Sequence, residues 1–213
     1  MRKSRDTEKT ARTIDADHFD RQFYETHYHD PRTQVSSPEE AAKLARFLLA
    51  YLDFLDGEIS SVIDFGCGVG LFRDALRALD PAIEYEGVEI SEYACEAYGW
   101  TLGSVVDYRA EHPSDLVVCQ GVLQYLNARD ADRAIKNLAR HAEIALYLEV
   151  LTEEDWEENV NQELTDSRCF LRPAVFYRER LDRHFISCGG GLFVKRDEGI
   201  TLYELERGYP FFS

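Results

Sequence analysis

The chain of 213 residues is short of the features that most often betray a chemistry. Its five cysteines, Cys67, Cys95, Cys119, Cys169 and Cys188, are odd in number and widely scattered. No CxxC pair or Cys/His cluster has zinc-ligand spacing, so no metal is expected. Cys67 and Cys119 fall in apolar stretches and read as small buried residues rather than nucleophiles. Scattered thiols suit a reducing compartment, and the expectation is a cytoplasmic protein. No apolar segment follows the first residues, so neither a signal peptide nor a membrane span is expected. Basic residues are scarce: 24 Lys and Arg against 40 Asp and Glu leave a net charge of -16. Such a surface repels phosphate backbones and demotes nucleic acid as a partner, leaving neutral or cationic small molecules. An acidic surface serving only solubility explains the charge equally well. No G-x-x-x-x-G-K-[ST] stretch is present, which excludes the usual triphosphate loop. There is no internal repeat and no low-complexity tract.

What is present suffices for one packed domain, with 45% hydrophobic and 12% aromatic residues. Residues 1–16 begin polar and net positive and are expected to be a disordered tail. Residues 17–57 read as N-terminal helices forming a lid over the site. In DHFDRQFYETHY, residues 17–28, Phe19, Phe23 and Tyr24 share a helical face. In the next helix Ser37 is an N-cap candidate, Pro38 takes the first position and Gly57 marks the end. From residue 58 a strand–helix rhythm begins. Strands are predicted at 60–65, 84–90, within 103–108, and at 115–120 and 144–151. Helices are predicted at 71–79, after Ser91, at 127–142, from Thr152, and at 173–185. GLFVKRDEGITLYELER, residues 191–207, reads as a hairpin turning at Asp197, Glu198 and Gly199. Strands apolar on both faces between amphipathic helices imply a parallel sheet covered on both sides, with the hairpin adding an antiparallel edge.

The most informative stretch is VIDFGCGVGLF, residues 62–72. In open α/β sheets the ligand lies beyond the carboxyl ends of the strands. Gly66, Gly68 and Gly70 let the main chain turn sharply there and approach a ligand closely. The dinucleotide fingerprint is G-x-G-x-x-G, whereas this is G-x-G-x-G behind Asp64, which can accept a hydrogen bond from a cationic amine. A glycine turn without a ligand is the plain alternative. Glu89 ends the second strand in YEGVEIS, about 20 residues on, where a carboxylate can take both hydroxyls of a ribose. Its alternative is an exposed strand-end acid.

Taken in order, these stretches resemble the class I S-adenosylmethionine-dependent methyltransferases over roughly residues 40–207. VIDFGCGVG matches the glycine-rich first motif and YEGVEIS the acidic second-strand motif. DLVVCQGVLQYL matches the fourth-strand motif D-x-V-x-x-x-x-V-L-x-x-L, and LYLEV the fifth strand. The resemblance implies an α/β fold with a doubly wound, mostly parallel seven-stranded sheet, Rossmann-like, carrying an antiparallel C-terminal hairpin strand. Residues 58–213 would be the S-adenosylmethionine-binding domain, with S-adenosylhomocysteine as product. Asp64, Phe65, Gly66, Cys67 and Gly68 would meet the methionine part, and Gly70 would allow close helix packing. Glu89 would take the ribose, Ile90 would lie along the adenine, and Gln120 would approach the donor region. The family often has Gly-Asp after its third strand, whereas here stand Gly103 and Ser104. Ser104 or the main chain at Val105 is therefore expected to substitute, with Asp107 left as a loop cap.

Methyl transfer needs alignment and water exclusion more than a fixed base. The acceptor pocket is expected from Tyr24, Tyr125, Glu149 and Trp156, with Gln124 and Tyr28 as catalytic candidates and His27 and His29 nearby. Arg168, Arg172 and Arg178 would hold an anion or simply face solvent. No [DN]-P-P-[YF] segment or cytosine-methylating cysteine is present, so the expected acceptor is a small molecule, methylated on oxygen or nitrogen. The alternatives are a protein or carrier-bound substrate docked on the acidic face, or a silent cofactor-binding module.

Overall fold

The computed structural model describes residues 13–30, 32–196 and 200–208. Residues 1–12 of the predicted 1–16 tail and the predicted turn at 197–199 lie outside them; residues 13–16 are ordered against the domain, with Thr13 donating to Asp130 at 2.7 Å and the Ile14 N–H to the Tyr125 carbonyl at 3.0 Å. Seven strands form one sheet: β1 Ser61–Phe65, β2 Glu84–Glu89, β3 Thr101–Leu102, β4 Ser114–Gln120, β5 Ala142–Glu149, β6 Phe185–Gly189 and β7 Leu192–Lys195. Their spatial order is β3-β2-β1-β4-β5-β7-β6. The first five run parallel, while β7 is antiparallel to both β5 and β6. This is the expected doubly wound, mostly parallel sheet with a reversed hairpin at its edge.

The helices are α1 Arg21–Tyr24, α2 Pro38–Phe54, α3 Leu71–Leu79, α4 Glu92–Tyr98, α5 Ala128–His141, α6 Glu153–Glu158 and α7 Ala174–Leu181. Strand residues alternate between two cores. Val62, Leu116, Val118 and Ala145 pack with Leu48 and Leu52 of α2 and Leu76 of α3. Ile63, Phe65, Val117 and Leu146 pack with Ile135 and Leu138 of α5 and Leu181 of α7. Burial on both faces explains why these strands read as continuous apolar runs. Two local devices fix where helices begin. Ser37 accepts from the Glu40 N–H at 3.3 Å while Glu40 accepts from the Ser37 N–H at 2.8 Å, a reciprocal cap on α2. Asn127 accepts from the N–H groups of Arg129 and Asp130, both at 3.0 Å, at the start of α5.

Four expectations need correction. The hairpin joins β6 to β7 and turns at Gly189, Gly190 and Gly191, ahead of the segment expected to carry it. All three have positive φ (82°, 58° and 78°), a run that L-residues resist, and residues 200–208 form no strand. The third strand is only Thr101–Leu102, because the chain turns at Ser104, whose carbonyl accepts from the N–H groups of Asp107 and Tyr108. The last helix ends at Leu181 rather than 185, and Phe185 instead starts β6 as fully buried core. Ahead of α2, the single predicted helix is broken into a 3-10 turn at Ala16–His18, then α1, then a π turn at Glu25–His29.

Candidate active site

The order β3-β2-β1-β4 places a switch point between β1 and β4, where neighbouring connections leave to opposite sides. A cavity of about 840 Å³ opens at the carboxyl ends of these strands. Its floor is the glycine elbow. Gly66, Gly68 and Gly70 all have positive φ, at 77°, 54° and 84°. They differ in what a side chain would meet. A Cβ at Gly66 would stand 2.2 Å from Val122 Cγ2, whereas one at Gly68 would reach only the Tyr28 ring at 3.7 Å. The elbow is braced from below by Trp100, whose indole N–H donates to the Gly68 carbonyl at 2.7 Å. Its ring packs where side chains at Gly70 and Gly87 would be, and Arg73 lies 4.6 Å over that ring.

Two buried carboxylates face the elbow. Glu89, only 4% exposed, accepts from the N–H groups of Gly68 at 3.0 Å, Ile90 at 2.8 Å and Ser91 at 3.1 Å. Burial raises its pKa; the Ser91, Gly68 and Ile90 amides and the Tyr24 hydroxyl work against that rise. Asp64, 3% exposed, accepts from the Tyr85 hydroxyl at 2.6 Å. Burial pushes its carboxyl up to about 7, the Tyr85 bond opposes this, and Glu89 adds to it.

The Asp64 shift predicts a pH signature. The folded state keeps a proton that the unfolded chain, with an aspartate pKa of about 3.9, gives up. Stability from this group is therefore lost as pH rises from about 4 to 7, at about 1.4 kcal/mol per unit. Asp64→Asn removes that slope. The ligand-free variant is expected to gain Tm over wild type progressively between pH 5 and 7, read by thermal melts across that range. A constant Tm difference would contradict the buried, protonated carboxyl.

Most residues expected at the site are brought together here. Asp64, Gly66, Cys67, Gly68, Glu89, Ile90, Ser104, Val105 and Gln120 all line the cavity. So do Tyr24, Tyr28, Gln124, Tyr125 and Glu149. Glu149 accepts from the Gln120 amide at 3.5 Å and from the Tyr147 hydroxyl at 3.3 Å. Tyr28 is pushed up by burial and by the charges of Glu89, Glu149 and Asp64. Others fall elsewhere. Phe65 points into the opposite core, with ring centroids 5.4 Å from His141 and 6.1 Å from Tyr108, because alternate residues of β1 face opposite sides. Gly70 is not in the lining and serves the start of α3. Trp156 also lies off the lining; Asp155 and Asn159, one helical turn apart, face the cavity instead. Asp107 is exposed and sits 3.7 Å from Arg133. His29 is exposed, 3.1 Å from the Tyr98 hydroxyl.

The arginines do not form an anion site. Arg172 is 2% exposed and donates to the Tyr177 hydroxyl at 3.0 Å and to the Leu126 carbonyl, while Arg178 faces solvent. Arg168 donates to Nδ1 of His18 at 3.2 Å. That leaves His18 Nε2 as the N–H, donating to Asp166 at 2.7 Å. Asp166 also accepts from the Arg168 N–H at 2.9 Å. Burial would raise Asp166, but the Arg168 amide and His18 together hold it below the ordinary range. This His18–Asp166 pair joins residues 148 apart, and no local pattern signals it. Trp100 and Tyr85 were likewise missed, being aromatic residues on a strand or beside one with nothing to mark their partners.

Comparison with known proteins matches this region. Residues 63–144 match the family model described as a methyltransferase domain, covering the elbow, Glu89 and β4. No curated protein sequence matches the chain. Among solved structures, the magnesium protoporphyrin IX methyltransferase ChlM from Synechocystis PCC 6803, with bound SAH, is 20% identical with a TM-score of 0.56. The match covers 84% of this chain and 97% of that one. The sugar N-methyltransferase KedS8 from Streptoalloteichus sp ATCC 53650 is 19% identical, TM-score 0.57, over 87% of this chain and 93% of that one. The plantazolicin methyltransferase BpumL in complex with SAH is 12% identical, TM-score 0.58, over 75% and 72%. At these identities the likeness is one of fold.

Proposed function

We propose that this chain, a class I S-adenosylmethionine-dependent methyltransferase by its domain match and its fold, methylates a small molecule on oxygen or nitrogen. The observation carrying this reading is a continuous cavity of about 840 Å³ that runs from the glycine elbow to an aromatic compartment under the N-terminal segment. Its volume lies within the range of small-molecule sites, roughly 300–1,000 Å³, with room for a nucleoside and a compact second ligand. The residues present fit the cofactor. The face of Gly68 meets only the Tyr28 ring, Glu89 stands at the end of β2, and Asp64 offers a carboxylate to an ammonium group. When bound, S-adenosylmethionine supplies a methyl group on a sulfonium whose departure leaves a neutral thioether.

The chain's own part is alignment and exclusion of water. Backbone at Gly66, Cys67 and Gly68 holds the methionine portion, and Asp64 orders its amino group. Glu89 holds the ribose hydroxyls, and Ile90, Ser104 and Val105 flank the adenine. Gln120 sits toward the donor, while Tyr24, Tyr28, Tyr125 and Glu149 shape the acceptor side. Residues 14–35 contribute Phe23, Tyr24, His27 and Tyr28 to the cavity, which supports their role as a lid. Two of the similar structures act on a sugar and a porphyrin by name, in keeping with a small acceptor. Among the described residues, no helix is long and apolar enough to cross a membrane. The test is release of S-adenosylhomocysteine across panels of hydroxyl- and amine-bearing metabolites and of basic peptides. Turnover confined to the metabolites is expected; turnover confined to peptides overturns the reading.

A further inference from the structure

Two polar atoms in the cavity wall have no hydrogen-bond partner although both are buried: Nδ1 of His27 and Oε1 of Gln124. An unpaired buried polar group is costly, so such atoms ask for a ligand that supplies the partner. Oε1 can only accept. Aromatic rings stand beside these atoms. The Phe23 ring lies 4.7 Å from His27 and 5.3 Å from His18, and His18 lies 6.0 Å from Tyr125, the neighbour of Gln124. Tyr24 and Tyr28 also line the cavity.

The groups bearing on His27 are Asp166 and His18, and both are already engaged with each other and with Arg168. Burial lowers the His27 pKa, Asp166 opposes the fall and His18 adds to it, so the imidazole is neutral at neutral pH and able to accept a proton.

Resting on the methyl-transfer reading, we infer that the acceptor is a flat ring bearing a hydroxyl or amino group whose proton is received by His27 Nδ1, with Gln124 Oε1 accepting a second N–H or O–H where the ring carries one. His27 is the group that takes its proton. As the oxygen or nitrogen lone pair forms the bond to the methyl carbon, the carbon–sulfur pair stays on sulfur. The O–H or N–H proton passes to Nδ1, giving an imidazolium beside the Asp166 carboxylate. Solvent then removes it.

The probe pair is 2-naphthol and 2-methoxynaphthalene, the same ring with and without a donor. Binding of each is measured by calorimetry to full-length protein saturated with S-adenosylhomocysteine. Failure of S-adenosylhomocysteine itself to bind would sink the cofactor reading, and it is seen before either probe is added. With the complex formed, 2-naphthol is expected to bind at least tenfold tighter than its methyl ether. Addition of 2-naphthol, not of the ether, should shift the ¹⁵N resonance of His27 Nδ1. His27→Phe is expected to reduce the preference to within about twofold with S-adenosylhomocysteine affinity unchanged. His27→Asn, whose amide oxygen stands near the position of Nδ1, should retain it. Equal binding of the two probes, binding of neither, or a preference that survives His27→Phe would each overturn the inference.

Discussion

Replacing Glu89 by alanine is expected to weaken S-adenosylhomocysteine binding by about 100-fold or more while leaving the Tm within a few degrees. The affinity loss follows from two charge-assisted hydrogen bonds to ribose, each worth about 1.5–3 kcal/mol. The small stability change follows from opposing effects at the same carboxylate. Three N–H groups, of Gly68, Ile90 and Ser91, lose their acceptor. Against this, the carboxylate is itself unfavourably buried, as its raised pKa records: burial outweighs the amides and the Tyr24 hydroxyl. Glu89→Gln keeps an acceptor oxygen and removes the charge, so a smaller affinity loss, about tenfold, with an equal or higher Tm is expected. Calorimetry and thermal melts on the three proteins check both halves. Three of the four acceptor positions of an ionised carboxylate are already engaged by the amides of Gly68, Ile90 and Ser91.

The second large effect separates two glycines that look alike in the sequence. Gly66→Ala is expected to destabilise the fold by about 2–5 kcal/mol, combining left-handed strain at φ 77° with overpacking against Val122. Because the clash at 2.2 Å is with Val122 Cγ2 and the next contact, Val122 Cβ, is at 3.7 Å, adding Val122→Ala should recover much of the loss. Gly68→Ala should behave differently. Its new methyl meets only the Tyr28 ring at an ordinary 3.7 Å, so the cost is about 1–2 kcal/mol of backbone strain and the protein stays folded. That methyl projects onto the face offered to the cofactor, and binding is expected to fall at least 100-fold. Denaturant melts and calorimetry on the two variants should thus show opposite patterns: Gly66 mainly a stability loss, Gly68 mainly an affinity loss. Matching losses at both positions would contradict the assignment of faces.

How much of this was legible in the sequence depends on whether the cause was local. The elbow, the reciprocal cap at Ser37 and Glu40 and the Asn127 cap are written in a few consecutive residues, and they stand where the pattern puts them. The parallel strands were legible because burial on both faces leaves an uninterrupted apolar run. The hairpin was misplaced because Asp197-Glu198-Gly199 is a conventional turn sequence, while the run of three glycines from Gly189 allows a turn that few other residues could make. Phe65 was assigned to the cofactor by adjacency to Gly66, but strand alternation turns it to the opposite core. The pairing of His18 with Asp166, the Tyr85 hydroxyl on Asp64 and the Trp100 brace under Gly68 are tertiary contacts between residues distant in the chain. No local periodicity encodes them, and they became visible only with the sheet assembled.

The most direct measurement is a crystal structure of the chain with S-adenosylhomocysteine. The expected complex has the thioether end against Gly66 and Gly68 and both ribose hydroxyls within hydrogen-bond distance of Glu89. Density for the nucleoside elsewhere, or a ribose that leaves Glu89 bound only to its own amides, would contradict the account.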